Sequence, residues 1–230
     1  MLDREQSCGQ GGERVLQCGR SLLMGVCLFL SACAATEESI QKSQGHYQEG
    51  IATLSGDRQK AFVSFQKAVQ LNPKNKEARY GLGHVYALQG KLALAEEEFR
   101  SAIQIDDAYS EAHTYLGQVL ASQGKWDEAI RSYRAALANS LYATPDLARF
   151  HLGLALIQRG DFQEAMESLE DAVAANPASV PPALTHLELG RVYSKLGYAV
   201  KAREILSKVK MMDKGGEYAA AATELLARLK

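Results

Sequence analysis

The chain has 230 residues, a mass of 25.1 kDa and a formal net charge of −1 at pH 7, and 47% of its residues are hydrophobic. This length is sufficient for a packed core, and the balanced charge argues against nucleic-acid binding, which usually requires a basic surface. All four cysteines (Cys8, Cys18, Cys27 and Cys33) lie near the N-terminus at unsuitable spacings, so the sequence predicts neither a disulfide framework nor a zinc site.

The first predicted element is a short apolar block. Residues 21–32 (SLLMGVCLFLSA) follow Arg20 and precede a polar stretch. As a helix this block would rise about 18 Å, too little for a bilayer hydrocarbon core of about 30 Å. We therefore predict a signal peptide over residues 1–32 rather than a membrane span. A buried N-terminal helix is the alternative interpretation of the same block.

The apolar block ends in Leu30-Ser31-Ala32-Cys33, which resembles the lipobox of bacterial lipoproteins. The resemblance implies cleavage before Cys33, acylation of this cysteine with chains such as palmitate, and a lipidated tether over residues 33–41. Each buried acyl CH2 contributes about 0.8 kcal/mol, so several chains hold a protein to a membrane. Ala34 stands where an aspartate commonly signals inner-membrane retention, which implies the outer membrane. The alternative is an ordinary signal peptide with a chance cysteine.

A repeated motif occupies most of the remaining chain. A glycine followed five residues later by an alanine occurs five times, at spacings of 34, 34, 36 and 37 residues. The glycines are Gly56, Gly90, Gly124, Gly160 and Gly197, and the alanines are Ala61, Ala95, Ala129, Ala165 and Ala202. This pattern resembles the tetratricopeptide repeat, a helix-turn-helix unit of about 34 residues.

The resemblance implies an all-α superhelix of stacked helix pairs. We predict about five tetratricopeptide repeats over residues 42–214 and a capping helix over residues 215–230, which covers the apolar face of the fifth repeat. A glycine in the first helix of a repeat, such as Gly117, lets the second helix approach closely, and a bulky residue such as Tyr133 fills the adjoining groove. A turn glycine such as Gly90 suits the left-handed conformation that ends a helix.

The first helix of each repeat is predicted to line a concave face through its positions 2, 5, 9 and 12, which share one side of a helix. In the fourth repeat these positions are all apolar, which predicts a groove for a protein partner. The alternative is that the inserted segment 139–146, or the N-terminal tether, covers this stripe. The predicted groove residues are Tyr80, His84, Gln118, Leu147, Phe150, Leu154, Ile157, Leu187 and Arg191.

No catalytic motif is recognisable. The five histidines form neither an H-E-x-x-H motif nor a comparable constellation, and helix packing and turns account for the glycines. We therefore predict that the protein is not an enzyme and that it has no catalytic residues, metal site, cofactor or small-molecule substrate. The Lys/Asn/Arg clamp of chaperone-binding repeats is also missing, which argues against cytosolic chaperones as partners.

A more specific resemblance lies in residues 136–173. Leu141-Tyr142, Pro145, Arg149 and the run 151–154 (HLGL) resemble type IV pilus biogenesis lipoproteins, the PilF/PilW-like pilotins. This resemblance implies a lipoprotein on the periplasmic face of the outer membrane, whose groove holds a segment of a secretin subunit and assists secretin targeting and assembly. The alternatives are a general envelope adaptor that recruits proteases or cell-wall enzymes, and an export accessory protein.

Overall fold

The computed structural model describes residues 36–229, and within this range the chain forms eleven α-helices and no β-strand. None of these helices combines the length and the apolar character that crossing a bilayer requires. The predicted signal peptide and Cys33 lie outside the described residues. The helices are α1 (Glu37–Thr53), α2 (Arg58–Leu71), α3 (Lys76–Leu88), α4 (Leu92–Ile105), α5 (Ser110–Ser122), α6 (Trp126–Ala138), α7 (Pro145–Arg159), α8 (Phe162–Val173), α9 (Pro182–Lys195), α10 (Ala199–Met212) and α11 (Glu217–Arg228).

The first ten helices form five consecutive pairs, from α1–α2 to α9–α10, and each pair packs against the next. Among the described residues, the odd-numbered helices contact one another along the stack, whereas the even-numbered helices do not. The odd-numbered helices therefore form the inner layer of a curved stack and the even-numbered helices form the outer layer. Helix α11 contacts α9 and α10 and continues the inner layer. The predicted all-α tetratricopeptide-repeat superhelix is confirmed.

Glycines with positive φ end the inner helices. Gly90 has a φ of 72°, and its amide donates a hydrogen bond to the carbonyl of Ala87 at 2.9 Å. Gly124, Gly160 and Gly197 also have positive φ. Only glycine adopts this conformation without steric cost, which explains why it recurs at the turn of the repeat.

The packing within a pair depends on glycines in the inner helices. A Cβ atom on Gly117 would lie 2.5 Å from Cε1 of Tyr133, and the Tyr133 side chain is only 1% exposed. The second helix therefore uses the space left by the missing side chain, as predicted. The bulky residues predicted to fill the groove of each repeat are all buried: Phe65, Phe99, Tyr133, Leu169 and Leu206.

Helix α1 begins earlier than the sequence analysis predicted. The tether was expected to extend to residue 41, but residues 37–41 are helical. The hydroxyl of Thr36 accepts a hydrogen bond from the Ser39 amide at 3.2 Å, which caps the helix. Glu37 and Glu38 lie in the first turn, where their charges interact favourably with the helix dipole.

The two longer connections of the chain are ordered by prolines and by one buried carboxylate. Pro145 and Pro182 stand at the first position of α7 and α9. A backbone N–H at this position has no acceptor within the helix, so proline, which lacks the N–H, is tolerated there. Asp146 is 4% exposed and accepts hydrogen bonds from the Ser179 amide (2.6 Å) and the Ser179 hydroxyl (3.0 Å). The connection between α8 and α9 is thereby fastened to the start of α7.

Candidate protein-binding groove

The four positions predicted to face the groove differ in exposure. Position 5 of the inner helices is buried in three repeats, where it is occupied by Thr114, Phe150 (5% exposed) and Leu187 (2% exposed). Phe150 and Leu187 are members of the main hydrophobic core cluster. The prediction that Phe150 and Leu187 line an open groove was therefore wrong, because both side chains belong to the core.

Positions 2, 9 and 12 of the apolar helix α7 remain partly accessible. Leu147, Leu154 and Ile157 are half-buried and pack against the main core from its inner side. The inserted segment does not cover them, because its Tyr142 side chain is buried elsewhere and its hydroxyl lies 2.9 Å from Oγ1 of Thr114. Among residues 36–229, the inserted segment therefore leaves the apolar stripe of α7 partly accessible, although the stripe is narrower than predicted.

A cavity of about 430 Å³ lies between α5 and α7, and we call it the α5–α7 cavity. Its lining includes Gln118 of α5 and Leu154 and His151 of α7. The His151 ring stacks on the Tyr133 ring, with centroids 6.0 Å apart and an interplanar angle of 16°. Burial lowers the pKa of His151 to about 4, so this imidazole is neutral at pH 7.

A second cavity, of about 540 Å³, lies between α7, α9 and α11, and we call it the C-terminal pocket. It shares Leu154 and Gln158 with the α5–α7 cavity, so the two cavities are adjoining parts of one groove along α7. Its apolar lining residues are Leu154, Ile157, Phe162, Val192, Leu225 and Leu229, and its polar ones are Gln158, Glu188, Arg191, Ser194, Lys195 and Arg228.

Tyr80 and His84 lie apart from this groove, in an aromatic cluster on α3. The Tyr80 ring centroid is 5.5 Å from those of Tyr109 and Tyr115, and the His84 ring is 5.2 Å from Tyr115. Burial raises the pKa of Tyr80 and lowers that of His84. Nδ1 of His84 is buried and has no hydrogen-bond partner among the described residues.

The structure therefore brings together only some of the predicted groove residues. Gln118, Leu154, Ile157 and Arg191 line the two adjoining cavities. Leu147 lies on the same helix but lines neither cavity. The contribution of α11 was not predicted, because the sequence indicates only a helix that caps the stack. The four-residue spacing of Leu225 and Leu229, which in a helix places two residues on one side, was the available signal, although Leu229 follows the last residue of α11.

The lining of the groove is suited to binding another polypeptide. Its lining consists mainly of apolar side chains, with charged groups confined to the C-terminal pocket. Within residues 36–229, no group of three or more His, Cys, Asp or Glu side chains could hold a metal ion. Apolar walls with a few charged groups at one end are typical of grooves that bind a segment of another polypeptide.

Comparisons with known proteins agree with this architecture. Three family models, each described as a tetratricopeptide repeat, match residues 57–142, 114–180 and 156–229. A search of curated protein sequences found no match.

Several solved structures share the fold. PilF of Pseudomonas aeruginosa is 22% identical, with a TM-score of 0.72 over 84% of this chain and 90% of PilF. PilW, described as a widely conserved type IV pilus biogenesis factor, is 25% identical, with a TM-score of 0.68 over 81% of this chain and 91% of PilW. YrrB, described as having an unusual peptide-binding site, is 21% identical, with a TM-score of 0.64 over 83% of this chain and 100% of YrrB.

The repeated glycine and alanine positions, the paired helices with an inner and an outer layer, and the three family models all indicate the same architecture. The protein belongs to the tetratricopeptide-repeat family and is a scaffold for binding other proteins.

Proposed function

We propose that this protein is a pilotin, an outer-membrane lipoprotein on the periplasmic side that assists secretin targeting and assembly in type IV pilus biogenesis. The observation that carries the proposal is the similarity to PilW, a type IV pilus biogenesis factor, over 81% of this chain and 91% of PilW. The lipobox-like residues 30–33 supply the proposed membrane anchor, which is acylated on Cys33.

In this proposal the groove along α7 binds an apolar segment of a secretin subunit. Leu154 and Ile157 present apolar surface that a folded monomer has no need to expose. Fully burying an exposed large apolar side chain contributes about 1.5–3 kcal/mol, and since Leu154 and Ile157 are already half-buried, completing the burial of both contributes roughly 2 kcal/mol. This is weak binding in free solution, where a micromolar complex requires about 8 kcal/mol.

The lipid anchor would compensate for this weak binding. A scaffold held at the membrane surface meets a membrane-directed partner at a high effective concentration, which strengthens binding without any new contact. Reversible binding also suits a protein that must release its partner after assembly. No covalent step is required, in keeping with tetratricopeptide-repeat scaffolds, which are generally not enzymes.

Complementation of a strain that lacks this protein tests the proposal. The Leu154→Glu/Ile157→Glu variant should abolish secretin multimers and co-purification of secretin, because charges would replace the apolar anchors. Phe150 is unsuitable for this test because it is buried in the core. The matched control is Val63→Glu/Val200→Glu, which places the same charges on exposed apolar positions of the outer helices. Circular dichroism of the purified variants checks that both remain helical.

The anchor is tested in the same strain. Cys33→Ser should move the protein out of the outer-membrane fraction and reduce secretin multimers, whereas Cys27→Ser, in the predicted signal peptide, should change neither. Secretin multimers that form normally in the strain without the protein would refute the pilotin proposal, as would outer-membrane fractionation that is unchanged by Cys33→Ser.

A further inference from the structure

The C-terminal helix α11 forms a wall of the C-terminal pocket. Only Ala219 and Ala222 of this helix are buried, whereas Leu225 and Leu229 are half-buried and line the pocket. A helix that only capped the stack would place its leucines against the fifth repeat. Here Leu225 and Leu229 pack against the main core and, in addition, share a cavity of about 540 Å³ with Leu154 and Ile157 of α7. This volume is in the range of pockets that enclose a ligand.

The charges around this pocket are mostly positive. Arg191 and Lys195 lie one turn apart on α9, and Arg228, which forms an ion pair with Glu224 one turn earlier, lies on α11. The carboxylate in the lining is that of Glu188, which accepts a hydrogen bond from Arg191 at 3.0 Å. Three cations, Glu188 and the Glu224 partner of Arg228 together give a net charge of +1, although the whole chain has a net charge of −1. A ligand with acidic groups therefore complements the pocket.

The backbone of the ligand is also constrained. The walls are side chains of three helices, and no β-strand edge is present among residues 36–229. An extended segment would leave its amide and carbonyl groups unpaired against these apolar walls, which is energetically costly. A helix satisfies its own backbone hydrogen bonds and presents one apolar face, so it fits a groove between helices.

We propose that the C-terminal pocket binds an amphipathic helix of the partner protein, whose Leu or Phe side chains enter between α7, α9 and α11 and whose flanking Asp or Glu side chains pair with Lys195 and Arg228. The inference rests on the proposed function only for the identity of the partner, which would be a secretin subunit. The preference for an acidic amphipathic helix follows from the pocket itself.

Two synthetic peptides of about 18 residues test the preference. Both are fluorescently labelled and carry Leu and Phe on one helical face; one has Glu beside this face and the other has Lys at the same positions. Fluorescence anisotropy with the wild-type protein should show that the Glu peptide binds at least tenfold more tightly than the Lys peptide. Equal affinities, or no binding of the Glu peptide, would overturn the proposal.

Charge reversal then locates the site. Lys195→Glu/Arg228→Glu should weaken binding of the Glu peptide by about tenfold or more and strengthen binding of the Lys peptide. These side chains are exposed, so the helices should remain intact. The matched control is Lys210→Glu/Lys214→Glu, which changes the net charge equally at exposed positions outside the pocket. An equal loss of affinity in the control would show that net charge, not this pocket, determines binding.

Failure of the inference and failure of the proposed function give different results. If the function is wrong, secretin multimers form without the protein while the peptide preference and its loss on charge reversal persist. If the inference is wrong, secretin assembly still requires the protein while the purified protein shows no preference for the Glu peptide.

Discussion

Acidification should destabilise the protein through His151, and substituting His151 should remove that part of the pH dependence. The imidazole lies in the α5–α7 cavity, where no lining residue carries a charge at neutral pH. A protonated imidazole would therefore lack a counter-ion and most of its hydration. Burial thus lowers the pKa of His151 from 6.5 to about 4.

The direction and size of the pH effect on stability follow from the difference between the pKa of His151 in the unfolded chain and in the folded chain. The unfolded chain binds a proton on His151 near pH 6.5, whereas the folded chain binds it only near pH 4. The stabilising contribution of the neutral imidazole is therefore complete above pH 6.5 and is lost as the pH falls toward 4. With about 1.4 kcal/mol per pKa unit, lowering the pH from 7 to 5 should reduce the free energy of unfolding by about 1.8 kcal/mol through His151 alone.

Urea unfolding of the wild type and of His151→Gln at pH 7 and pH 5, followed by circular dichroism, measures this contribution. The wild type should lose about 1.8 kcal/mol more than the variant between the two pH values. His84, whose pKa is also lowered by burial, is present in both proteins and cancels in the comparison. The same pH dependence in both proteins would show that the His151 imidazole is not held neutral by its surroundings.

Two further predictions concern the repeat architecture. Gly117→Ala should lower the free energy of unfolding by about 1–3 kcal/mol, because its Cβ would meet the buried Tyr133 ring at 2.5 Å. Gly45→Ala, in a helix with open space around the new Cβ, should instead raise it by up to about 1 kcal/mol, and urea unfolding that gave both variants the same change would contradict this packing argument. Asp146→Ala should cost about 1–2 kcal/mol and speed cleavage of the α8–α9 connection by proteinase K, since Ser179 loses both of its hydrogen bonds to the carboxylate. An unchanged cleavage rate would mean that this carboxylate does not order the connection.

The helix pairs could be predicted because their determinants are local in the sequence. Each repeat needs a glycine with positive φ at its turn, as at Gly90, and a second glycine that faces a bulky side chain, as at Gly117. Both glycines recur at nearly fixed distances along the chain. Each repeat carries the same short-range requirements, so five occurrences of the pattern reinforce one another. The start of α1 also has a local signal, the Thr36 cap followed by two glutamates.

The exposure of the groove was less predictable because it depends on contacts between repeats. The spacing of positions 2, 5, 9 and 12 identifies one side of a helix but not the part of that side that a neighbouring helix covers. Phe150 and Leu187 have the predicted spacing yet are buried in the main core, whereas Leu154 and Ile157, which have the same spacing, stay partly accessible. The distance and angle between successive inner helices decide this difference, and neither is encoded in a single repeat.

The role of α11 follows from the same long-range geometry and links the stability of this helix to binding. Helix α11 fully buries only Ala219 and Ala222, whereas Leu225 and Leu229 pack half-buried against the core and keep part of their apolar surface accessible. Leu225 and Leu229 can contact a ligand in the C-terminal pocket only while α11 is docked. A ligand that touches these leucines therefore binds the docked form and stabilises it by mass action. The helix that completes the stack would then be held most firmly when the partner is present.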